Sequence, residues 1–177
     1  MHEPDDAQLV QRTLAGDHRA FAELLCRHQD SAVNLARRMV GNRSDGEDVA
    51  QESFLRAFRH LQRFDPARGF RPWLLGITAN LARNHIRGRW RRKIREEALP
   101  APEDNVPQDP RLAALDEALA ALDPSARAIL TLKYMEGFSL EDISRSLGIR
   151  NSAVKMRLAR ARGALLNRCS SLSLDTP

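Results

Sequence analysis

Asn80, Arg83, Asn84 and Arg87 recur at the three- and four-residue spacing that gathers side chains onto one stripe of a helix. Planar amides and guanidiniums are the groups that hydrogen-bond base edges and phosphates. Trp90 follows within a turn, and Phe70 precedes the helix in the loop "DPARGFRP"; either ring could stack on an unpaired base. Residues 83–95 carry seven Arg or Lys and no acid, so this segment suits a polyanion backbone. The stripe runs between two apolar flanks, Trp73, Ile77 and Leu81 on one side and Leu75, Ala82 and Ile86 on the other. A helix lying on lipid needs one continuous apolar face instead.

A second constellation lies in "FSLEDISRSLGIRNSAVKMRLARARGALL", residues 138–166. Ser139 and Asp142 are spaced as a capping box, Ile143 and Leu147 point inward, Gly148 marks a turn, and another helix starts near Asn151. This is helix-turn-helix spacing. Val154, Leu158, Ala161 and Leu165 share the buried side of the second helix, while Ser152, Met156, Ala159, Arg160 and Gly163 face outward and Lys155, Arg157 and Arg162 flank them. Small outward residues let a helix enter the major groove, and flanking cations hold phosphates. A third face lies on "SDGEDVAQESFLRAFRHLQRF", whose helix is expected to be capped by Ser44 or Asp45. Asp48, Gln51, Glu52, Leu55 and Arg59 gather opposite a core stripe of Val49, Ala50, Ser53, Ala57, Leu61 and Phe64. A leucine among charges fits the apolar anchor of a protein-binding face.

The elements that position these groups are all helical. Apolar residues recur with helical period before and after residues 96–110, and no stretch shows the alternation of a strand. The first long helix is expected from about Asp17 to Val40, with Phe21, Leu24, Leu25, His28, Ala32, Leu35, Ala36 and Met39 inward and Gly41 as its stop. "EEALPAPEDNVPQDP", residues 96–110, holds four prolines and reads as an extended linker. Beyond it, Asp123 and Pro124 open a further helix. The fold class is therefore all-α. Two small helical domains, 5–95 and 111–168, are joined by a Pro-rich acidic linker at 96–110 and followed by a disordered tail at 169–177.

Charge is arranged in blocks. The net charge of the 177-residue chain is +5, with 42% hydrophobic and 29% charged residues. Residues 1–82 carry 11 basic and 11 acidic side chains; 83–95 are net +7, 96–123 net −7 and 124–168 net +6. Two basic blocks flanking an acidic one imply polyanion contact at two places. The chain lacks an apolar run near the ~18 residues of a membrane span and a visible secretory signal, so a cytoplasmic location is expected. Cys26 and Cys169 are far apart and suit a reducing compartment. "CRH" at 26–28 offers only two metal ligands, and His28 reads as a core residue.

With these motifs in place, the chain resembles a bacterial sigma factor of the extracytoplasmic-function group over nearly all of residues 5–168. The resemblance implies a non-enzymatic factor, without cofactor, metal or small-molecule substrate, that binds core RNA polymerase and directs promoter-specific initiation. Asp48, Gln51, Glu52, Phe54, Leu55 and Arg59 would meet the clamp helices of the largest polymerase subunit, and the second domain the flap of the second-largest. Asp65, Arg68, Phe70, Asn80, Arg83, Asn84, Arg87 and Trp90 would recognise the minus-ten element and its melted nontemplate strand. Asn80 and the loop from Asp65 to Phe70 would receive a flipped base. Ser152, Lys155, Met156, Ala159, Arg160 and Arg162 would read the minus-thirty-five element in duplex form. An anti-sigma factor, commonly membrane-spanning, is implied as a partner, and could hold the chain at the inner membrane. The family often has "SxGTVKSR" before its recognition helix; here "RNSAVKMR" places Arg150, Ala153 and Met156 where a capping Ser, a phosphate-contacting Thr and a small polar reader are usual.

Two other readings compete. A stand-alone helix-turn-helix regulator would have no use for the Asp48 to Arg59 face or the first basic helix. A nuclease built on Glu47 and Asp48 lacks a metal cluster, a triad or a phosphate loop, and helix-dipole placement already accounts for those acids.

Overall fold

A computed structural model describes residues 4–95, 118–119 and 121–174. Among these the regular structure is helical throughout. Helix α1 (Asp6–Leu14) was not anticipated, although its start carries a local signal. Asp5 accepts from the Gln8 backbone N–H at 2.8 Å, and the Gln8 side chain accepts from the Asp5 N–H at 3.1 Å, a reciprocal capping box. Leu9 and Val10 are buried, and Asp6 ties the helix down through His28 Nε2 at 2.8 Å and Arg27 at 3.3 Å.

Helix α2 (His18–Val40) starts at an Asp17 cap and stops at Gly41, whose φ of 86° is a conformation glycine adopts without steric cost. Helix α3 (Arg43–Arg59) starts slightly earlier than its first carboxylate suggested. Asn42, in extended conformation after Gly41, accepts from the Asp45 N–H at 2.8 Å and is the cap, so Ser44 and Asp45 fall inside the first turn. Val49, Ala50, Ser53, Phe54 and Ala57 are buried. Short 3-10 turns at Leu61–Arg63 and Pro66–Arg68 lead into the long helix α4 (Phe70–Arg95).

In the second half Asp123 caps α5 (Pro124–Leu130), which runs on through a π-type turn at Thr131–Met135. Ser139 and Asp142 form the anticipated capping box of α6 (Leu140–Leu147), and Gly148 ends it with φ 64°. Helix α7 (Asn151–Leu174) continues through residues 169–174, a stretch expected as tail, since no Gly or Pro lies between Gly163 and Leu174 to stop it. The proline-rich segment 96–110, residues 111–117 and residue 120 lie outside the described residues.

The core crosses from one half to the other. Ile129, Leu132, Phe138, Ile143, Leu147 and Val154 belong to the same buried cluster as Leu24, Leu35, Met39, Leu74 and Leu75. A smaller cluster of Leu119, Leu122, Ala126, Leu130 and Ala161 packs α5 against α7. Arg127 is nearly enclosed and donates to the carbonyls of Leu119 at 2.8 Å and Met39 at 2.5 Å, bridging the halves. Arg71 pairs across them with Glu136 at 2.5 Å, a carboxylate whose side chain is only 6% exposed.

Two local features should control stability. A Cβ on Gly46 would lie 2.9 Å from the Cα of Arg37, so α2 and α3 approach closely because that residue is glycine. Gly46→Ala should destabilise the chain by ~1–3 kcal/mol despite its better helix propensity, read by urea unfolding. Asp45 joins α3 to α4, accepting from Arg89 at 2.6 Å and Asn42 at 2.7 Å with His85 Nε2 at 3.1 Å. Burial alone pushes this carboxyl up, but the Asn42 amide, His85 and Arg89 outweigh it and hold it below its ordinary value. A depressed carboxylate stabilises the fold above its unfolded pKa of ~3.9, and that contribution is lost as pH falls through the folded value. Asp45→Asn should therefore cost ~1–2 kcal/mol at pH 7, with the difference shrinking in unfolding curves as pH is lowered past ~3.9.

Candidate nucleic-acid interface

The amide and guanidinium stripe lies on α4, but the structure divides it. Asn84 and Arg87 are exposed. Asn80 and Arg83 are half-buried against the last turn of α6. The Asn80 amide nitrogen donates to the Gly76 carbonyl at 3.1 Å and to the Ser146 carbonyl, while its oxygen accepts from Arg83 Nη2 at 2.9 Å. Arg83 Nη1 reaches the Leu147 carbonyl at 3.4 Å, and its Nε is buried without a partner. Burial, reinforced by the nearby charges of Arg87 and Arg157, lowers the Arg83 pKa from its ordinary value. The Trp90 side chain lies outside the described residues.

The loop before α4 is held by its own contacts. Asp65 accepts from the Ala67 N–H at 3.1 Å and pairs with Arg68 at 2.9 Å. Phe70, expected to offer its ring to a base, is 1% exposed and sits among His28, Phe64 and Trp73 with ring centroids 5.3–5.8 Å away. Its ring anchors the loop from inside. Between loop and α6 is a cleft of about 220 Å³ lined by Arg68, Trp73, Gly76, Asn80, Arg145 and Ser146.

The face of α7 expected to read duplex DNA is uncovered. Ser152, Lys155, Met156, Ala159, Arg160 and Arg162 are all exposed, over a buried Val154 and Ala161. Small side chains at the centre and cations at the edges form the shape and charge that a major groove accepts. Within α3, Asp48, Gln51, Leu55 and Arg59 face solvent, Leu55 being 53% exposed. Glu52 is half-buried and paired with Arg56 at 2.9 Å. Phe54 is buried and supports this face from beneath. Phe58, not singled out from the sequence, is 42% exposed and packs edge-on to Phe21 at 4.9 Å. Its signal was its position three residues after Leu55, on the same stripe.

Known families match both halves. Residues 24–92 match Sigma-70 region 2 and residues 112–165 match Sigma-70, region 4. The ECF RNA polymerase sigma factor SigE of Mycolicibacterium smegmatis is 39% identical, over 89% of this chain and 64% of that protein, so this chain spans less than two thirds of that relative. The RNA polymerase sigma-H factor of Pseudomonas aeruginosa is 34% identical over 90% of this chain and 91% of its own length. Among solved structures, CnrH in complex with the cytosolic domain of CnrY superposes with a TM-score of 0.69 at 30% identity, covering 97% of this chain and 99% of that one. With a helix-turn-helix whose outer α7 face is open, a basic α4 and a leucine-centred α3, and with both regions matched in order, the chain belongs to the sigma-70 family of RNA polymerase sigma factors, in its extracytoplasmic-function group.

Proposed function

We propose that this chain binds core RNA polymerase through α3 and directs it to promoters read by α4 and α7. The supporting observation is the outward arrangement of Asp48, Gln51, Leu55 and Arg59 on one helix while Lys155, Met156, Ala159 and Arg160 face outward on another. A duplex-binding regulator acting alone needs only the second of these. Leu55 is the apolar anchor for the clamp helices, Asp48, Gln51, Glu52 and Arg59 supply its polar surround, and Phe54 holds it in place. Phe58 enlarges the anchor.

On α7, Ser152, Lys155, Met156, Ala159 and Arg160 meet base edges of the minus-thirty-five element, and Arg162 holds a phosphate. Asn80, Arg83, Asn84 and Arg87, with Asp65 and Arg68 in the loop, receive the unstacked nontemplate strand of the minus-ten element. Phe70 fixes the loop and Trp90 stacks. Unstacking costs a few kcal/mol per base, which these hydrogen bonds offset. The domain boundaries are 5–95 and 111–168, with the acidic segment between them lying in the polymerase cleft and the second domain touching the flap. The chain acts without catalysis of its own. CnrH, a structural neighbour, forms a complex with the cytosolic domain of CnrY, and an anti-sigma partner for this chain fits that precedent. No helix among the described residues is long and apolar enough to cross a membrane, which fits action in the cytoplasm, where the polymerase is.

Run-off transcription with sigma-free core polymerase and fragmented genomic DNA tests the reading. The chain should yield discrete transcripts, and Leu55→Asp should remove them while leaving duplex binding by the purified chain unchanged. DNA binding without transcripts, indifferent to Leu55→Asp, would overturn it. Arg160→Ala should cost ~1–3 kcal/mol of discrimination between the recovered minus-thirty-five sequences and scrambled ones, whereas Arg162→Ala should weaken all sequences alike and reduce the salt slope by about one.

A further inference from the structure

We infer that Asp6 and His28 are positioning residues of the minus-ten loop: the carboxylate at the start of α1 holds the edge of an imidazole that bears on Phe70, and Phe70 sets where loop 65–69 stands. Neither residue touches DNA. The inference rests on the function proposed above for that loop.

The route of contacts is short. The loop is tied to itself, through Asp65 with Arg68 at 2.9 Å and the Ala67 N–H at 3.1 Å, and residues 66–69 are exposed. Its hold on the interior comes from the rings at its two ends, Phe64 before it and Phe70 after it, packed edge to face with centroids 5.8 Å apart. Trp73, one turn into α4, lies 5.5 Å from the first and 5.7 Å from the second. The same indole lines the cleft of about 220 Å³ with Arg68 and Asn80. Interiors are close-packed, so a shift of Phe70 is transmitted to both ends of the loop and to the cleft wall. His28 is the polar ring of this cluster, 5.3 Å from Phe70.

A histidine in this place needs a reason. An apolar side chain would pack against Phe70 with no polar atom to satisfy, whereas an imidazole taken from water costs free energy unless its nitrogens are paired. The His28 side chain is 12% exposed, and Nε2 lies 2.8 Å from Asp6 Oδ2. An ionised carboxylate only accepts, so Nε2 carries the hydrogen and donates it. That bond fixes the rotation of a flat ring, and with it the 42° angle His28 makes with Phe70. Asp6 is itself held in place. Helix α1 opens on the Asp5 and Gln8 capping box and buries Leu9 and Val10, while Arg27 reaches Asp6 at 3.3 Å and the Pro4 carbonyl at 2.8 Å. Groups that act on a ligand need such support behind them, because a loop alone does not hold a geometry. Packing by itself asks only for bulk at residue 28; orientation asks for a donor there and an acceptor at residue 6, and this difference is measurable.

Holoenzyme assembled from the full chain and core polymerase is titrated with a fluorescein-labelled single-stranded oligonucleotide carrying a nontemplate minus-ten sequence recovered from the run-off transcripts, and with versions changed at one base each. Discrimination is the ratio of the two dissociation constants. His28→Leu, which keeps apolar bulk against Phe70, and Asp6→Ala should each lower discrimination about fivefold, with core binding in native gels within about twofold of the parent. Asp6→Asn, whose amide oxygen still accepts from Nε2, should stay within about twofold of the parental discrimination. The double variant Asp6→Ala, His28→Leu should be no worse than either single one, since both remove one contact. Arg27→Ala, which removes another partner of Asp6, should leave discrimination unchanged. Unchanged discrimination in the single variants, additive losses in the double one, or core binding that falls in step with discrimination overturns the positioning role. A loss in Arg27→Ala as large as that in His28→Leu overturns its assignment to this pair. If the parental holoenzyme does not distinguish the oligonucleotides, the minus-ten reading of the loop fails first and this inference with it.

Discussion

Leu74, Leu75, Ala79 and Ala82 of α4 have no measurable exposure, so this helix must be enclosed before anything it carries can be positioned. Helices α2, α3, α5 and α6 all pack on it. Burying apolar side chains contributes roughly 25 cal/mol per Å² removed from water, while ordering the backbone costs ~1–2 kcal/mol per residue, so a long helix with apolar flanks is stable only where neighbours cover both. The first half covers part of α4 and the second half covers more. The juxtaposition of the two halves follows from that demand.

The polar stripe inherits the consequence. A buried donor or acceptor must find a partner, because leaving one unsatisfied costs about 1–3 kcal/mol. Asn80 and Arg83 lie at the margin of the covered surface and take the carbonyls of Ser146 and Leu147, whereas Asn84 and Arg87, one turn further on, face water. One row of similar side chains therefore has two environments. The same hydrogen-bonding capacity that suits a base makes these residues good partners for a helix end, since both present oxygen acceptors.

Local signals were legible where the physics is local. Asp17 and Gly41, Asp123 and Pro124, and Ser139, Asp142 and Gly148 bound helices through contacts among residues a few positions apart, and the structure has those caps where the spacing places them. The start of α1 carries an equally local signal in the reciprocal Asp5 and Gln8 capping box. Asn42, Ser44 and Asp45 are all residue types that cap a helix, and the left-handed Gly41 decides between them by turning the chain so that Asn42 enters extended. Phe70 is ambiguous in the sequence: an aromatic ring fits a stacking surface and a core equally well, and only the neighbours discriminate. His28, Phe64 and Trp73 surround Phe70.

Sequence alone determined the all-helical class, the order of its two units and the outward faces of α3 and α7, because helical period, capping and charge blocks act over a few residues or along one surface. It also determined that α4 has two apolar flanks. Tertiary structure alone decided what covers them. Residues such as Ile129, Leu132, Ile143 and Leu147 satisfy the pattern of a small domain's own core as well as that of a shared one, so periodicity cannot assign them to either. Whether Asn80 faces solvent or a neighbouring helix depends on a contact 66 residues away along the chain, and on Gly76 permitting that approach. Such contacts depend on shape matching between distant segments, which no local spacing records.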